Sequence, residues 1–177
     1  MVEKTTKLKM GNGMEKDTLL GPLTTKQRLE GVEKLVEKTI NEGGKLLTGG
    51  KRAANFNKGF FFEPTIFDEI KDNFTIMKEE PFGPIVPILS FKNYDEVIKR
   101  ANNNDLGLCS YVYTTDLKKA NLASEELETG CVAVNTPAVA VAEAPFGGIK
   151  QTGYGREGGS MAIKDYLNIK YTHIAIY

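Results

Sequence analysis

Two adjacent glutamates, Glu79 and Glu80, stand directly before a Pro-Phe-Gly-Pro turn in the stretch KEEPFGPIVPILSF. A carboxylate accepts hydrogen bonds from hydroxyl groups, and a rigid turn can aim one carboxylate and one aromatic ring at the same ligand. Exposed carboxylates at turns are also common on protein surfaces. The residues alone therefore leave two alternatives open, which are an ordinary surface turn and a ligand contact made by a glutamate together with Phe82.

Other residues with chemical potential have simpler interpretations. Cys109 and Cys131 lie within or at the start of apolar runs that predict buried strands, and no basic residue adjoins either of them in the sequence. We therefore expect both to be buried structural cysteines. His173 is the only histidine, and its place in the terminal strand also favours a structural role. One histidine and two widely separated cysteines do not make a usual structural zinc site, so no metal site is expected.

The glycines of GYGREG, which are Gly153, Gly155 and Gly158, match the dinucleotide-binding spacing G-x-G-x-x-G. That fingerprint requires a strand immediately before the glycines and a second strand with an acidic end after them. The preceding predicted strand, CVAVN, ends well upstream, and no second strand with an acidic end follows. The match is interpreted as a coincidence within a glycine-rich loop.

Composition excludes several classes of protein. The chain has 177 residues, of which 41% are hydrophobic, and its 23 basic residues equal its 23 acidic ones. A balanced charge argues against general nucleic-acid binding. No apolar run approaches the roughly 20 residues of a membrane helix, and the charged first residues lack the apolar segment of a secretory signal. Two cysteines suit a reducing compartment, so a cytoplasmic protein with neither nucleic-acid nor membrane partners is expected.

The elements that must position these residues indicate an α/β fold. A helix is predicted after Pro22, with Thr24 and Gln27 at capping-box spacing, and its apolar face comprises Leu29, Val32, Val36 and Ile40.

From residue 85, strands alternate with short helices, one of them capped by Asn93, which predicts a parallel sheet with flanking helices. The long loop after Asn135 is predicted to be functional. The alternating terminal strand must pair with a distant edge or with another chain.

The ordered segments GNGMEKDTLLGPL, EGGKLLTGG, GFFFEPTIF, MKEEPFGPIVPI, ANNNDLGL, SYVYTTDLKKA, GCVAVN, PFGGIKQTGYGREGG and DYLNIKY resemble the NAD(P)-dependent aldehyde dehydrogenase family. The similarity is to the C-terminal part of the catalytic domain, in the succinate-semialdehyde dehydrogenase-like branch. It implies that residues 1–167 belong to that catalytic domain and that residues 168–177 form an oligomerisation strand.

The resemblance also implies roles for individual residues. Glu80 matches the glutamate that hydrogen-bonds the ribose next to the nicotinamide, Phe82 matches a phenylalanine near the nicotinamide, and Glu79 is a supporting residue. In the loop that lines the aldehyde entrance, Phe146 matches a pocket aromatic. Ala140 falls about where succinate-semialdehyde members often place a serine that holds the distal carboxylate of the substrate.

The reaction that the resemblance implies is the oxidation of a small aldehyde to a carboxylate with NAD or NADP. The family's nucleotide-binding domain, glutamate base and nucleophilic cysteine are expected upstream of every matched segment, and neither Cys109 nor Cys131 matches the nucleophile. No catalytic residue is therefore assigned, and the chain alone is predicted to be inactive. Its expected partner is a second copy or a separate N-terminal half. The alternatives are a non-catalytic assembly or interaction module and half of a split enzyme.

Overall fold

In the computed structural model, which describes residues 1–177, a short helix and a long one precede the first strand. These are α1 (Val2–Thr5) and the 16-residue α2 (Lys26–Asn41). The Oγ1 of Thr25 accepts a hydrogen bond from the Arg28 amide at 3.1 Å, so the helix cap lies one residue after the predicted Thr24. Thr25 has the extended backbone that an N-cap requires. The spacing to Gln27 favoured Thr24, but the neighbouring threonine offers the same hydroxyl acceptor and takes the cap.

One face of α2 is buried, and it differs slightly from the predicted face. Its buried side chains are Leu29, Val32, Leu35, Val36 and Thr39. Ile40, predicted to be buried, is 45% exposed because it lies at the edge of the stripe that these residues define. Thr39 is fully buried, and its hydroxyl donates to the Leu35 carbonyl at 2.7 Å, which satisfies its polar atom inside the core.

Residues 1–90 form one unit around a three-stranded mixed sheet. Its strands are β1 (Lys45–Thr48), β2 (Thr65–Asp68) and β3 (Ile85–Pro87), in the order β1-β2-β3. The central strand β2 is antiparallel to β1 and parallel to β3. Pro64 lies just before β2, in a connecting segment, where its missing N–H removes no ladder hydrogen bond.

The core of this unit joins α2 to the sheet. Phe67 in β2 is completely buried, and Ile66 beside it is 1% exposed. Phe67 belongs to a buried cluster that contains the apolar face of α2 together with Phe62, Ile70, Phe74, Ile76 and Ile85. A 3-10 turn, Thr75–Met77, belongs to the same core and leads directly to the two glutamates.

Residues 91–177 form the second unit. Its elements are α3 (Tyr94–Asn102), β4 (Leu106–Gly107), β5 (Cys109–Val112), α4 (Leu117–Glu126), β6 (Cys131–Val134) and β7 (Ile149–Lys150). Asn93 caps α3 as predicted, since its Oδ1 accepts from the Glu96 amide at 3.0 Å. The strands β5 and β6 are parallel and joined by α4, which is the predicted crossover. The strands β4 and β7 form a separate antiparallel pair.

The predicted α/β fold is confirmed, and its strand pairing differs in detail. The sequence pattern indicated one parallel series beginning at β3, whereas β3 pairs with β2, and β5 and β6 form a two-stranded sheet of their own. Short apolar runs identify strands, but hydrogen-bonding partners that are distant in sequence are set by packing. None of the helices has the length and apolar content that crossing a bilayer requires.

The C-terminal residues contribute little regular structure. The predicted helix in SMAIKDYLN is a five-residue 3-10 turn, Ala162–Tyr166. Residues 168–177 form no strand within the chain, and their large apolar side chains are exposed: Ile169, Tyr171, Ile174, Ile176 and Tyr177. A strand needs a partner for its backbone hydrogen bonds, and the predicted partner of this segment is another chain. The oligomerisation strand and its boundary at residue 167 therefore stay predictions.

The complete burial of Phe67 leads to a prediction about stability. We expect Phe67→Ala to lower the free energy of unfolding by about 3–5 kcal/mol, because it removes a buried ring and leaves a cavity. Urea unfolding followed by circular dichroism measures the change. Phe91→Ala is the matched control, since Phe91 is 55% exposed, and it should change stability by at most about 0.5 kcal/mol. Equal losses for both variants would contradict the proposed core.

Candidate nicotinamide and substrate sites

An open cavity of about 460 Å³ lies between the first turns of α2 and the turn that contains Glu80 and Phe82. Arg28 lines it from the helix, and Glu79, Glu80 and Phe82 line it from the turn. Both residues that the sequence assigned to the cofactor therefore border the same space. A cavity with a few polar groups and an aromatic ring is the usual form of a small-molecule site.

The turn is held by short-range hydrogen bonds and by contact with α2. The Phe82 amide donates to the Glu80 carbonyl at 3.0 Å, and the Gly83 amide donates to the Pro81 carbonyl at 2.6 Å. A Cβ on Gly83 would lie 2.6 Å from Cγ2 of Val32, so only glycine allows the backbone to approach the helix this closely. The turn is consequently fixed against a buried residue of α2.

The two glutamates differ in their surroundings. The Glu79 carboxylate lies 4.0 Å from the Lys38 ammonium. The backbone amide of Glu79 donates to the Thr75 carbonyl at 2.9 Å. The Glu80 carboxylate is exposed and makes no hydrogen bond or ion pair within the chain. Glu80 is thus the glutamate whose oxygens are available to accept hydrogen bonds from a ligand, while Glu79 supports the turn.

Phe82 presents an aromatic ring that is 60% exposed at the cavity. The guanidinium carbon of Arg28 lies 5.0 Å from the centroid of this ring, which is the geometry of a cation–π contact. Sequence reasoning missed Arg28 because nothing local connects a residue in the first turn of α2 to a turn more than fifty positions away. The contact restrains the ring from one side.

A second anchor fixes the segment that leads into the glutamates. The Thr75 hydroxyl and amide both donate to the Glu42 carboxylate, at 2.6 and 2.8 Å. These hydrogen bonds hold the pKa of the Glu42 carboxyl below its ordinary value of 4.5. Glu42 follows α2, so the end of that helix is joined to the 3-10 turn preceding Glu79 and Glu80.

The predicted functional loop in the second unit is closed at its base. At the end of β6, Asn135 has a φ of 57°. Its side chain accepts from the Thr114 amide at 2.9 Å and donates to the Thr114 carbonyl at 2.8 Å. Further along, Phe146 and Glu157 exchange backbone hydrogen bonds of 2.7 Å in both directions. Ala140 is exposed near the middle of this loop, and Phe146 is half-buried where the loop returns.

Phe146 lines a cavity of about 410 Å³ together with the glycine-rich segment that follows it. Arg156 supports this cavity, because its Nη1 donates to the carbonyls of Gly148 at 2.8 Å and Gly155 at 2.7 Å. Sequence reasoning did not single out Arg156, since its partners are backbone atoms. The structure thus places Ala140 and Phe146 in one loop of residues 91–177, and Glu80 and Phe82 at one cavity of residues 1–90.

The glycines of GYGREG allow the backbone to adopt left-handed conformations. Gly153, Gly155 and Gly158 have φ values of 114°, 90° and 71°, which favour glycine. No α-helix begins at these glycines, whereas the dinucleotide fingerprint opens a helix there. The segment is a series of turns.

The two cysteines are free thiols, and both are half-buried, so the prediction of full burial is wrong. The cause is the two-stranded sheet formed by β5 and β6, which leaves part of each strand uncovered. Partial burial still raises the pKa of the Cys109 thiol, which disfavours the thiolate that a nucleophile needs. His173 lies exposed in the terminal segment.

Comparison with known proteins gives the class to which this fold belongs. The model of the aldehyde dehydrogenase family matches residues 1–172. The structure of an aldehyde dehydrogenase from Bacillus cereus in complex with NAD+ superposes with a TM-score of 0.91 at 43% identity, covering 96% of this chain and 34% of that one. The chain belongs to the aldehyde dehydrogenase family.

Two named relatives agree with the semialdehyde branch. Glutarate-semialdehyde dehydrogenase from Pseudomonas putida is 42% identical over 170 residues, which are 96% of this chain and 35% of the relative. The mitochondrial succinate-semialdehyde dehydrogenase from Rattus norvegicus is 40% identical over 164 residues, which are 93% and 31% of the two chains. The family and branch indicated by the sequence are confirmed, and the chain spans about a third of the length of these relatives.

The lowered pKa of Glu42 gives a pH-dependent prediction. The unfolded chain protonates this carboxyl at a higher pH than the folded chain, so its contribution to stability is present at pH 7 and is lost on acidification. We expect wild type to be more stable than Glu42→Gln at pH 7, and this advantage to shrink as the pH falls from about 5 to about 3. Thermal unfolding of both proteins across this range measures it. A difference that stays constant with pH would contradict the assigned role.

Proposed function

We propose that residues 1–177 supply part of the nicotinamide site and part of the substrate wall of an NAD(P)-dependent aldehyde dehydrogenase that oxidises a semialdehyde to a carboxylate. The observation that carries this proposal is the shared cavity of Glu80 and Phe82. There, an unengaged carboxylate and a largely exposed ring stand side by side on a rigid turn.

In this proposal, Glu80 accepts hydrogen bonds from the ribose next to the nicotinamide, and Phe82 packs near the nicotinamide ring. A carboxylate is a strong acceptor for a pair of vicinal hydroxyl groups. The Arg28 contact and the Gly83–Val32 approach reduce the freedom of the turn before the cofactor arrives, which lowers the entropic cost of binding. The Bacillus cereus structure in complex with NAD+ supports a nicotinamide cofactor.

Phe146 and Ala140 are proposed to line the aldehyde entrance. Two relatives are named for glutarate semialdehyde and succinate semialdehyde, which supports a semialdehyde substrate. Ala140 offers only a methyl group, so a distal carboxylate of the substrate would have to be bound by other residues. Phe146 is fixed by its paired hydrogen bonds with Glu157 and can therefore present a defined aromatic surface.

The family reaction needs a thiolate that attacks the aldehyde carbonyl, hydride transfer to the nicotinamide, and hydrolysis of the resulting thioester by an activated water. Neither thiol of this chain suits the first step, because Cys109 and Cys131 face each other across two paired strands and burial raises the pKa of Cys109. We therefore propose that the nucleophile comes from outside residues 1–177, and that this segment alone does not reduce NAD(P)+.

The terminal residues support a second role, in assembly. Residues 168–177 expose five large apolar side chains and form no strand within the chain. Such a segment gains backbone hydrogen bonds and apolar burial by joining the sheet edge of another chain. We propose that it pairs with a second copy, so that the segment is an assembly element whether or not the copy is catalytic.

A chimera tests the cofactor role. Residues 1–177 would replace the matching third of the Bacillus cereus aldehyde dehydrogenase, with which they share 43% identity. In this background we expect Glu80→Gln to raise the KM for NAD+ by roughly tenfold or more, because a hydrogen bond to a charged acceptor contributes about 1.5–3 kcal/mol. Steady-state NADH formation with glutarate semialdehyde is the measurement.

Glu79→Gln in the same chimera is the matched control, and its KM for NAD+ should change by no more than about twofold, because rim ion pairs contribute little. An unchanged KM in Glu80→Gln would contradict the assignment. Purified residues 1–177 should give no NADH with the same substrate, and activity there would refute the proposal that the nucleophile lies elsewhere.

The assembly role predicts an effect of truncation. We expect residues 1–177 to sediment as a dimer or a larger species at micromolar concentration, and residues 1–167 to sediment as a monomer, because the truncation removes the exposed apolar segment. Sedimentation velocity measures both. Tyr154→Ser removes an exposed aromatic outside the segment and should leave assembly unchanged. Identical sedimentation of the long and short chains would exclude the segment as the contact.

A further inference from the structure

Cys109 and Cys131 are direct partners across the parallel strands β5 and β6. Both open their strands, and both are half-buried. Neighbouring strands lie about 4.7–4.9 Å apart, which falls within the Cα separation of about 4.4–6.8 Å that disulfides span. Residues paired in parallel strands also project their side chains to the same face. The two side chains are therefore neighbours on one face of the two-stranded sheet.

We propose that Cys109 and Cys131 form a reversible intramolecular disulfide, with a low-molecular-weight disulfide of the glutathione class as the oxidant. The bond would join the two strands at their first residues and enclose the whole crossover through α4 (Leu117–Glu126). This modification site uses none of the residues that line the cavity of Glu80 and Phe82, and it requires no aldehyde chemistry.

The exchange takes two steps that balance in atoms and electrons. The thiolate of one cysteine attacks a sulfur of the oxidant, the oxidant's S–S bond breaks, and the leaving thiolate takes up a proton. The thiolate of the second cysteine then attacks the Sγ of the first cysteine in this mixed disulfide. The Cys109–Cys131 bond forms, the mixed S–S bond breaks, and the second small thiolate leaves and takes up a proton. Overall, two protein thiols are oxidised to one disulfide, and one small disulfide is reduced to two small thiols.

The surroundings distinguish the two cysteines. Burial raises the pKa of the Cys109 thiol, which lowers the fraction of it present as thiolate. The first attack is accordingly assigned to Cys131, and Cys109 acts second, on a mixed disulfide already held beside it. In the reduced chain, the Cys131 Sγ donates to the Gly147 carbonyl at 3.7 Å. A disulfide has no S–H, so oxidation removes this donor from the loop residue that follows Phe146.

The test uses the purified 177-residue chain, fully reduced and then freed of reductant. On incubation with oxidised glutathione, we expect the intact mass to fall by two hydrogens and the free thiols to fall from two to none. Trypsin should then release a linked pair of peptides covering residues 101–118 and 120–150. Dithiothreitol should restore both thiols and the original mass. Thermal unfolding should occur at a higher temperature in the oxidised form, because the bond constrains the unfolded chain.

Cys109→Ser and Cys131→Ser are the matched variants. Each keeps one thiol, so neither can yield the linked peptides, and Cys109→Ser should accumulate the glutathione adduct that the wild type resolves. A wild-type chain that stays reduced, that carries one glutathione on each cysteine, or that forms disulfides only between copies would overturn the proposal. The mass and linked-peptide measurements on the wild-type chain need no variant. They therefore test the proposal even if either serine variant fails to fold.

Discussion

The burial of one face of α2 against β2 is the interaction on which the rest of the first unit depends. Val32 contributes to the core and also receives Gly83 at a distance that no other residue would permit. Thr39 is buried in the same face with its hydroxyl satisfied inside the helix. The helix that forms the core therefore also locates the turn of Glu80 and Phe82, so that apolar packing sets the geometry of a polar site.

Two further contacts extend this control from the helix to the turn. Arg28, in the first turn of α2, lies over the Phe82 ring, and Glu42, just after the helix, holds Thr75 at the start of the segment that leads to the glutamates. Both ends of one helix thus restrain one short stretch of chain. Because the backbone that carries Glu80 is held in this way, less backbone freedom is lost when a ligand binds, which is the physical basis for the cofactor role proposed for Glu80.

Much of the local structure was predictable from the sequence, because it depends on neighbouring residues. The Asn93 cap, the crossover from β5 through α4 to β6, and the apolar stripe of α2 all follow from residue type and spacing. The pairing of β3 with β2 was not predictable, since it is decided by packing between distant segments. For the same reason, Arg28 and Glu42 gave no signal, although Glu80 and Phe82 stand together in a recognisable motif.

The close approach of Gly130 to the loop has a practical consequence for altering the substrate range of such enzymes. A Cβ on Gly130 would lie 1.9 Å from the Gly147 carbonyl oxygen, so the end of the loop presses against the start of β6. Mutant libraries aimed at the aldehyde entrance proposed for this loop can vary exposed positions around Ala140 without disturbing this contact. Any library that randomises residue 130 would consist largely of misfolded members, and the glycine there should be held constant.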